Sequence, residues 1–246
     1  MVLAAVVAPR LSGAGRLPEP SGWRLTTYDD FSGARLDRSI WWGAYTGEPG
    51  GDPAAWWDPS HVATDDGLVL RTSRAMTPRG ERWVSGGIGE VDSRAQVYGR
   101  YLVHMRTSPG LGISTVALLF PAAGWPPEID FYEDGTTVSR TSTTATLHHG
   151  SANHLEQRTL SGIDLTRWHT FGVDWLPDQL RFTVDGRTWA VITGSAVPHV
   201  PMTLDLQTQA LTCTGSQPVC PDRATPALVV AQVGWVAIYS PVGLGG

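Results

Sequence analysis

From residue 22 onward the chain breaks into short runs in which apolar and polar positions alternate, each bounded by Gly, Pro or Asp. A period of two sends successive side chains to opposite faces, which is the pattern of a half-buried β-strand. Gly67-Leu68-Val69-Leu70-Arg71-Thr72, Gly99-Arg100-Tyr101-Leu102-Val103-His104-Met105-Arg106 and Thr115-Val116-Ala117-Leu118-Leu119-Phe120 are such runs. Thr170-Phe171-Gly172-Val173-Asp174-Trp175, the stretch from Leu180 to Arg187 and the closing run from Val233 to Tyr239 continue the series. Asp185-Gly186 supplies the positive φ angles of a tight hairpin turn. The pattern predicts more than ten strands and no helix longer than two turns. With no internal repeat and no shift in composition, one domain over residues 22–246 is expected, an all-β sandwich of two antiparallel sheets.

Composition sharpens this picture. The 246 residues include 28 Gly and 18 Pro, and only 17% are charged, too many breakers and too little charge for long amphipathic helices. The net charge of -5 argues against a nucleic-acid or anionic-membrane partner. Eleven Trp residues are many for this length. Single tryptophans serve a sandwich core, but sugars stack their apolar faces on exposed rings, so the excess also points to carbohydrate. Residues 1–21 open with an apolar stretch, Met1 to Ala8, and continue Pro9-Arg10, like a signal-peptide remnant without its basic start. It is too short to span a bilayer, and a secreted, extracellular protein is expected. Cys213 and Cys220 flank a Gly- and Pro-containing segment able to turn back on itself, so a disulfide is expected there and a metal site is not.

The chemistry concentrates in Pro127-Glu128-Ile129-Asp130-Phe131-Tyr132-Glu133-Asp134-Gly135. On a strand, Glu128 and Asp130 share one face while Ile129 and Phe131 share the other. Strict alternation would send Glu133 to the wrong face. One extra residue among Phe131 and Tyr132, a β-bulge, returns it to the face of the other two acids. The bulged step spans about 13 Å at about 3.3 Å per residue. If each glutamate leans inward by roughly 4 Å, the carboxyl groups end about 5 Å apart, the spacing of a nucleophile and an acid acting on one glycosidic bond with retention. Three carboxylates on one face cannot all ionise cheaply, so Asp130 is expected to hydrogen-bond Glu128 and to keep Glu133 protonated.

This segment resembles the signature of glycoside hydrolase family 16, the laminarinase and lichenase group, in its bulged form. Trp125-Pro126 precedes it as in many members, and Tyr98-Gly99-Arg100-Tyr101, Thr146-Leu147-His148, the stretch from Trp168 to Trp175 and Phe182-Thr183-Val184-Asp185-Gly186 follow the family's order. The resemblance implies a concanavalin-like β-jelly roll with a substrate cleft on its concave face. It implies Glu128 as nucleophile, Asp130 as its assistant and Glu133 as general acid/base. It also implies Trp125 stacking a sugar beside the scissile bond and His148 reaching the same area. Gln207, in the alternating stretch Asp205-Leu206-Gln207-Thr208-Gln209, suits hydrogen bonds to sugar hydroxyls. The expected activity is endo-hydrolysis of a β-1,3- or mixed-linkage β-glucan, by a monomer acting on polysaccharide.

Two positions depart from the family. Gly112 to Phe120 lacks the Trp of the Gly-x-Trp-Pro-Ala-x-Trp pattern usual in laminarinases, which leaves galactan and xyloglucan open as substrates. Many members hold a structural Ca²⁺ through an Asp near the C-terminus, and here Gly234 stands in that place before Trp235-Val236, so no cofactor is expected. A non-catalytic β-glucan-binding module would not need all three acids, a Ca²⁺-dependent lectin would need a ligand cluster that the sequence lacks, and a transglycosylase would share the same acids.

Overall fold

The computed structural model describes residues 19–48, 56–64, 66–213 and 219–243. Residues 1–18, most of the expected N-terminal segment, lie outside the described residues. The described chain is built from strands and two short 3₁₀ turns, Pro59–His61 and Asp92–Arg94. In chain order the strands are β1 (Trp23–Asp29), β2 (Trp41–Ala44), β3 (Val62–Thr64), β4 (Leu68–Thr77), β5 (Gly80–Ser85) and β6 (Gly87–Glu90). There follow β7 (Gly99–Thr107), β8 (Ile113–Pro121), β9 (Glu128–Glu133), β10 (Ser142–His149) and β11 (His154–Ser161). The last are β12 (His169–Leu176), β13 (Gln179–Val184), β14 (Arg187–Thr193), β15 (Met202–Ala210) and β16 (Leu228–Pro241). No helix among the described residues is long and apolar enough to cross a membrane.

Two antiparallel sheets form. One runs β14-β13-β12-β7-β16-β4-β3, with β1 added on β16 and β5 on β4; the other runs β11-β10-β9-β8-β15-β6-β2. Alternation in the sequence decides what lies between them. Tyr101, Val103 and Met105 of β7 and Phe171, Val173 and Trp175 of β12 point inward from the first sheet. Ala117 and Leu119 of β8, Ile129, Phe131 and Tyr132 of β9, Leu147 of β10 and Leu204 and Leu206 of β15 meet them from the second. These side chains are essentially dry, and their burial at about 25 cal/mol per Å² of apolar surface is the main force holding the sheets together.

The Trp excess divides between core and surface. Trp41, Trp57 and Trp175 are buried, whereas Trp42 and Trp125 remain 44% and 48% exposed. The closing strand is longer than the run Val233 to Tyr239 predicted. It begins at Leu228 and passes through an irregularity between Val233 and Trp235, where Gly234 is the extra residue against β7. A bulge breaks the period of two, so sequence alternation reveals only the part beyond it.

Candidate active site

β9 lies in the interior of the second sheet, between β8 and β10. Against β10, Glu128 faces His148, Asp130 faces Thr146 and Glu133 faces Thr144. Three steps of β9 thus cover two of β10 between Asp130 and Glu133. Against β8, Tyr132 faces Ala117 and Asp130 faces Leu118, which leaves Phe131 as the unpaired residue. The bulge lies where the sequence expectation put it. Phe131 and Tyr132, adjacent in sequence, both turn into the core, and Glu133 emerges with the other acids. At the end of the strand, Gly135 has φ 99°, and a Cβ there would stand 2.6 Å from the carbonyl oxygen of Ile113. The chain leaves β9 through a corner that only glycine fits.

The three acids have different surroundings. Glu128 Oε2 accepts the Trp125 indole N–H at 2.5 Å. Asp130 is 2% exposed. Burial first, then the charges of Glu133 and Glu128 and a hydrogen bond to Glu128, hold its carboxyl well above the usual range. Asp130 and Glu133 are both shifted toward their protonated forms, and Asp130 hydrogen-bonds Glu128. Glu133 is also raised by burial and by the Glu128 charge, against a hydrogen bond from Thr146 and the influence of His148. Thr146 Oγ1 donates to Glu133 Oε2 at 2.5 Å and is itself held by Gln157 Nε2 at 3.1 Å. His148 Nε2 lies 3.1 Å from Asp130 Oδ2. Its ring approaches that of Trp125, with centroids 5.9 Å apart. Glu128, Asp130 and His148 bring donor atoms within 4.8 Å of one another.

Gln207 belongs to the same surface. On β15 it pairs with Val116 of β8 and Gly87 of β6, in the cross-strand row that also holds Glu133. The neighbouring row runs from Asp130 through Leu118 to Asp205 and Gly89. At that end the structure adds a group that the sequence reading did not single out as a site. Tyr45 donates its hydroxyl to Asp205 Oδ2 at 2.5 Å, and the exposed Trp42 ring stacks on Tyr45 at 5.4 Å. Burial, with the charges of Glu128 and Glu90, pushes the Asp205 carboxyl up to about 7 against the lowering effect of the Tyr45 hydrogen bond. The rings lie over β6 because it has no side chains in their way. A Cβ on Gly89 would stand 2.3 Å from Trp42 Nε1 and 2.8 Å from Asp205 Oδ1. The glycines in Gly86-Gly87-Ile88-Gly89 were the signal available in the sequence.

Cys213 and Cys220 are joined, with Cα atoms 5.1 Å apart. The calcium that the resemblance brings with it does not fit Gly234. This residue offers no side-chain oxygen, and where a side chain would begin stand the rings of His104 and Trp168, at 3.2 and 3.5 Å. No step is derived through a metal.

A family model described as glycosyl hydrolases family 16 matches residues 49–213. The chain is 26% identical over 191 residues to the endo-1,3-1,4-beta-glycanase ExsH of Rhizobium meliloti, covering 68% of this chain and 40% of that protein. It is 32% identical over 129 residues to the probable glycosidase CRR1 of Saccharomyces cerevisiae, covering 46% of this chain and 29% of that protein. The chain thus spans well under half the length of these relatives. The catalytic domain of an endo-1,3-beta-glucanase (laminarinase) from Thermotoga petrophila superposes with a TM-score of 0.75 at 20% identity, over 90% of this chain and 99% of that one. At that identity the likeness is one of fold: two antiparallel sheets of jelly-roll type.

Proposed function

The chain belongs to family 16 of the glycosyl hydrolases, and from that premise we propose that residues 22–246 form an endo-acting, retaining hydrolase of β-1,3- or mixed-linkage β-glucan. The observation that carries the reading is the bulge in β9, which sets the buried Asp130 between two glutamates in different surroundings on one face. Glu128 receives hydrogen bonds from Trp125 and Asp130, which hold its carboxylate in place for attack. Glu133, raised by burial, carries the proton that the leaving oxygen takes. In the first step the Glu128 oxygen bonds to the anomeric carbon, the glycosidic bond breaks, and the Glu133 proton goes to the departing sugar. In the second, Glu133 takes a proton from water, the hydroxide adds to the same carbon, and Glu128 leaves as the carboxylate. Two displacements at one carbon retain its configuration.

Trp125, bonded to Glu128 at the start of β9, and Trp42 of the edge strand β2 are both exposed, and Gln207 and Asp205 lie on β15, between β9 and β2 in the sheet. Exposed indoles suit sugar faces and the polar pair suits sugar hydroxyls. Export is supported by the bonded cysteine pair.

The test is a reducing-sugar assay on laminarin, lichenan, xyloglucan, agarose and carrageenan, with the first-released anomer followed by NMR. Internal cleavage of laminarin or lichenan with initial retention is expected. Activity on xyloglucan, agarose or carrageenan alone would replace the substrate and keep the mechanism. Initial inversion would remove Glu128 as nucleophile.

A further inference from the structure

We infer that Asn153, in the turn after the strand that follows the acids, is a positioning residue that fixes which nitrogen of His148 carries the proton and so gives Asp130 a proton partner beside it. The inference rests on the proposed double displacement, and its first test does not require turnover.

His148 is held at both ring nitrogens. Nε2 lies 3.1 Å from Asp130 Oδ2, and Nδ1 lies 2.9 Å from Asn153 Oδ1. An amide oxygen only accepts, so Nδ1 donates to Asn153, and in the neutral ring the Nε2 lone pair faces Asp130, whose one proton is shared between Glu128 and Nε2. Asn153 can take this place because it adopts a left-handed conformation, φ 51°, in the turn closed by its N–H on the Gly150 carbonyl at 3.0 Å. Asn is among the few residues that tolerate that conformation.

The charged groups facing His148 come from β9: Glu128, Asp130 and Glu133. β11 places Leu155 opposite it, and the charged residues of that strand, Glu156 and Arg158, pair with each other at 2.6 Å. A proton on Nε2 would therefore meet only carboxylates. During turnover the cluster's charge changes. While Glu128 is an anion, Asp130 keeps its proton. When Glu128 becomes a neutral ester and Glu133 an anion, Asp130 can pass its proton to Nε2, and the imidazolium is stabilised by Asn153 Oδ1 on its other side. When the ester is cleaved the proton returns to Asp130. The proton moves only between Asp130 and His148, while the one that Glu133 gives to the leaving sugar is restored to it from water.

Two variants separate this from a structural role. Asn153→Gly removes the amide and keeps the left-handed turn. Asn153→Asp keeps the acceptor and adds a charge, which stabilises imidazolium. Nitrogen-15 NMR of the ring, with His148→Gln assigning its signals, should show the Nδ1–H tautomer in the unmodified protein, mixed tautomers in Asn153→Gly and a raised titration in Asn153→Asp. For kinetics, kcat in Asn153→Gly should fall about tenfold with little change in KM, the lower end of what losing a tautomer-fixing partner costs at histidine metal sites. Its pH profile should also change shape, and Asn153→Asp should recover part of kcat with a shifted profile. An Nε2–H tautomer in the unmodified protein, or an unchanged tautomer in a folded Asn153→Gly, would overturn the inference. If no tested glucan is cleaved, the tautomer result still decides the role of Asn153, and the failure falls on the proposed activity alone.

Discussion

Glu133 receives one strong hydrogen bond from a hydroxyl, whereas Glu128 receives an indole N–H and the shared Asp130 proton. At the scale of single residues, that difference divides the proposed roles. Glu128→Ala should abolish hydrolysis of every substrate. Azide should rescue it on activated substrates with inverted product, read by NMR, because the small anion fills the vacated space while Glu133 still protonates the leaving group. Thr146→Val tests the other glutamate. Thr146 stabilises the Glu133 anion and so lowers a pKa that burial raises. Without that donor the proton is held to higher pH, and the alkaline limb of the kcat/KM profile should move up by about one unit. A limb that stays in place, or moves down, would detach it from Glu133.

The elements that matter most are β9, β6 and β2, and each deviates from plain alternation. The β9 bulge was legible because three acids at fixed spacing make sense on one face only if one residue is skipped. The role of β6 was not legible. Glycines in a strand say that something approaches closely, without saying what. The approaching groups, Trp42 and Tyr45, come from a strand and loop more than 40 residues earlier in the chain. Gly89→Ala tests this arrangement, since its new Cβ must displace the Trp42 indole and the Asp205 carboxylate. Stability should fall by about 1–3 kcal/mol in denaturant unfolding, the usual cost of overpacking. KM for the polysaccharide should rise several-fold, while kcat on a short activated substrate that reaches only Glu128 and Glu133 should change little. An unchanged KM would leave Trp42 and Asp205 outside the binding surface.

For the whole molecule, burial of carboxyl groups sets how stability follows pH. Glu90, 2% exposed, hydrogen-bonded by the Leu204 N–H and 3.8 Å from Arg94, is raised from 4.5 to about 7, chiefly by burial. Between those values Glu90 binds more protons in the folded protein than in the unfolded chain, so its contribution to stability is full below about pH 4.5 and is lost as pH rises through 7. From this group alone the loss is on the order of 3 kcal/mol. Melting temperatures measured from pH 5 to pH 8 should decline, and Glu90→Gln, which keeps an acceptor for Leu204, should flatten the decline. A slope unaltered by that change would assign the effect to other groups. Chelation should leave the melting temperature nearly unchanged, because imidazole and indole rings flank Gly234. A large fall with EDTA, reversed by Ca²⁺, would reveal oxygen ligands elsewhere.

The sequence by itself determined the all-β sandwich, its principal strands, the hairpin at Asp185-Gly186, the three acids with their bulge and the cysteine pair. All of these rest on interactions between residues near in sequence, or on the rule that one strand face is apolar. Only the tertiary structure decided which tryptophans are core and which stand free, that Gly234 lies among aromatic rings, and that Tyr45 and Trp42 meet Asp205 across β6. It also decided that His148 reaches Asp130 with one nitrogen and Asn153 with the other. Those outcomes depend on the register of strands distant in sequence and on which rotamers their packing permits. A period of two fixes the face on which a side chain stands but not its neighbour across the sheet.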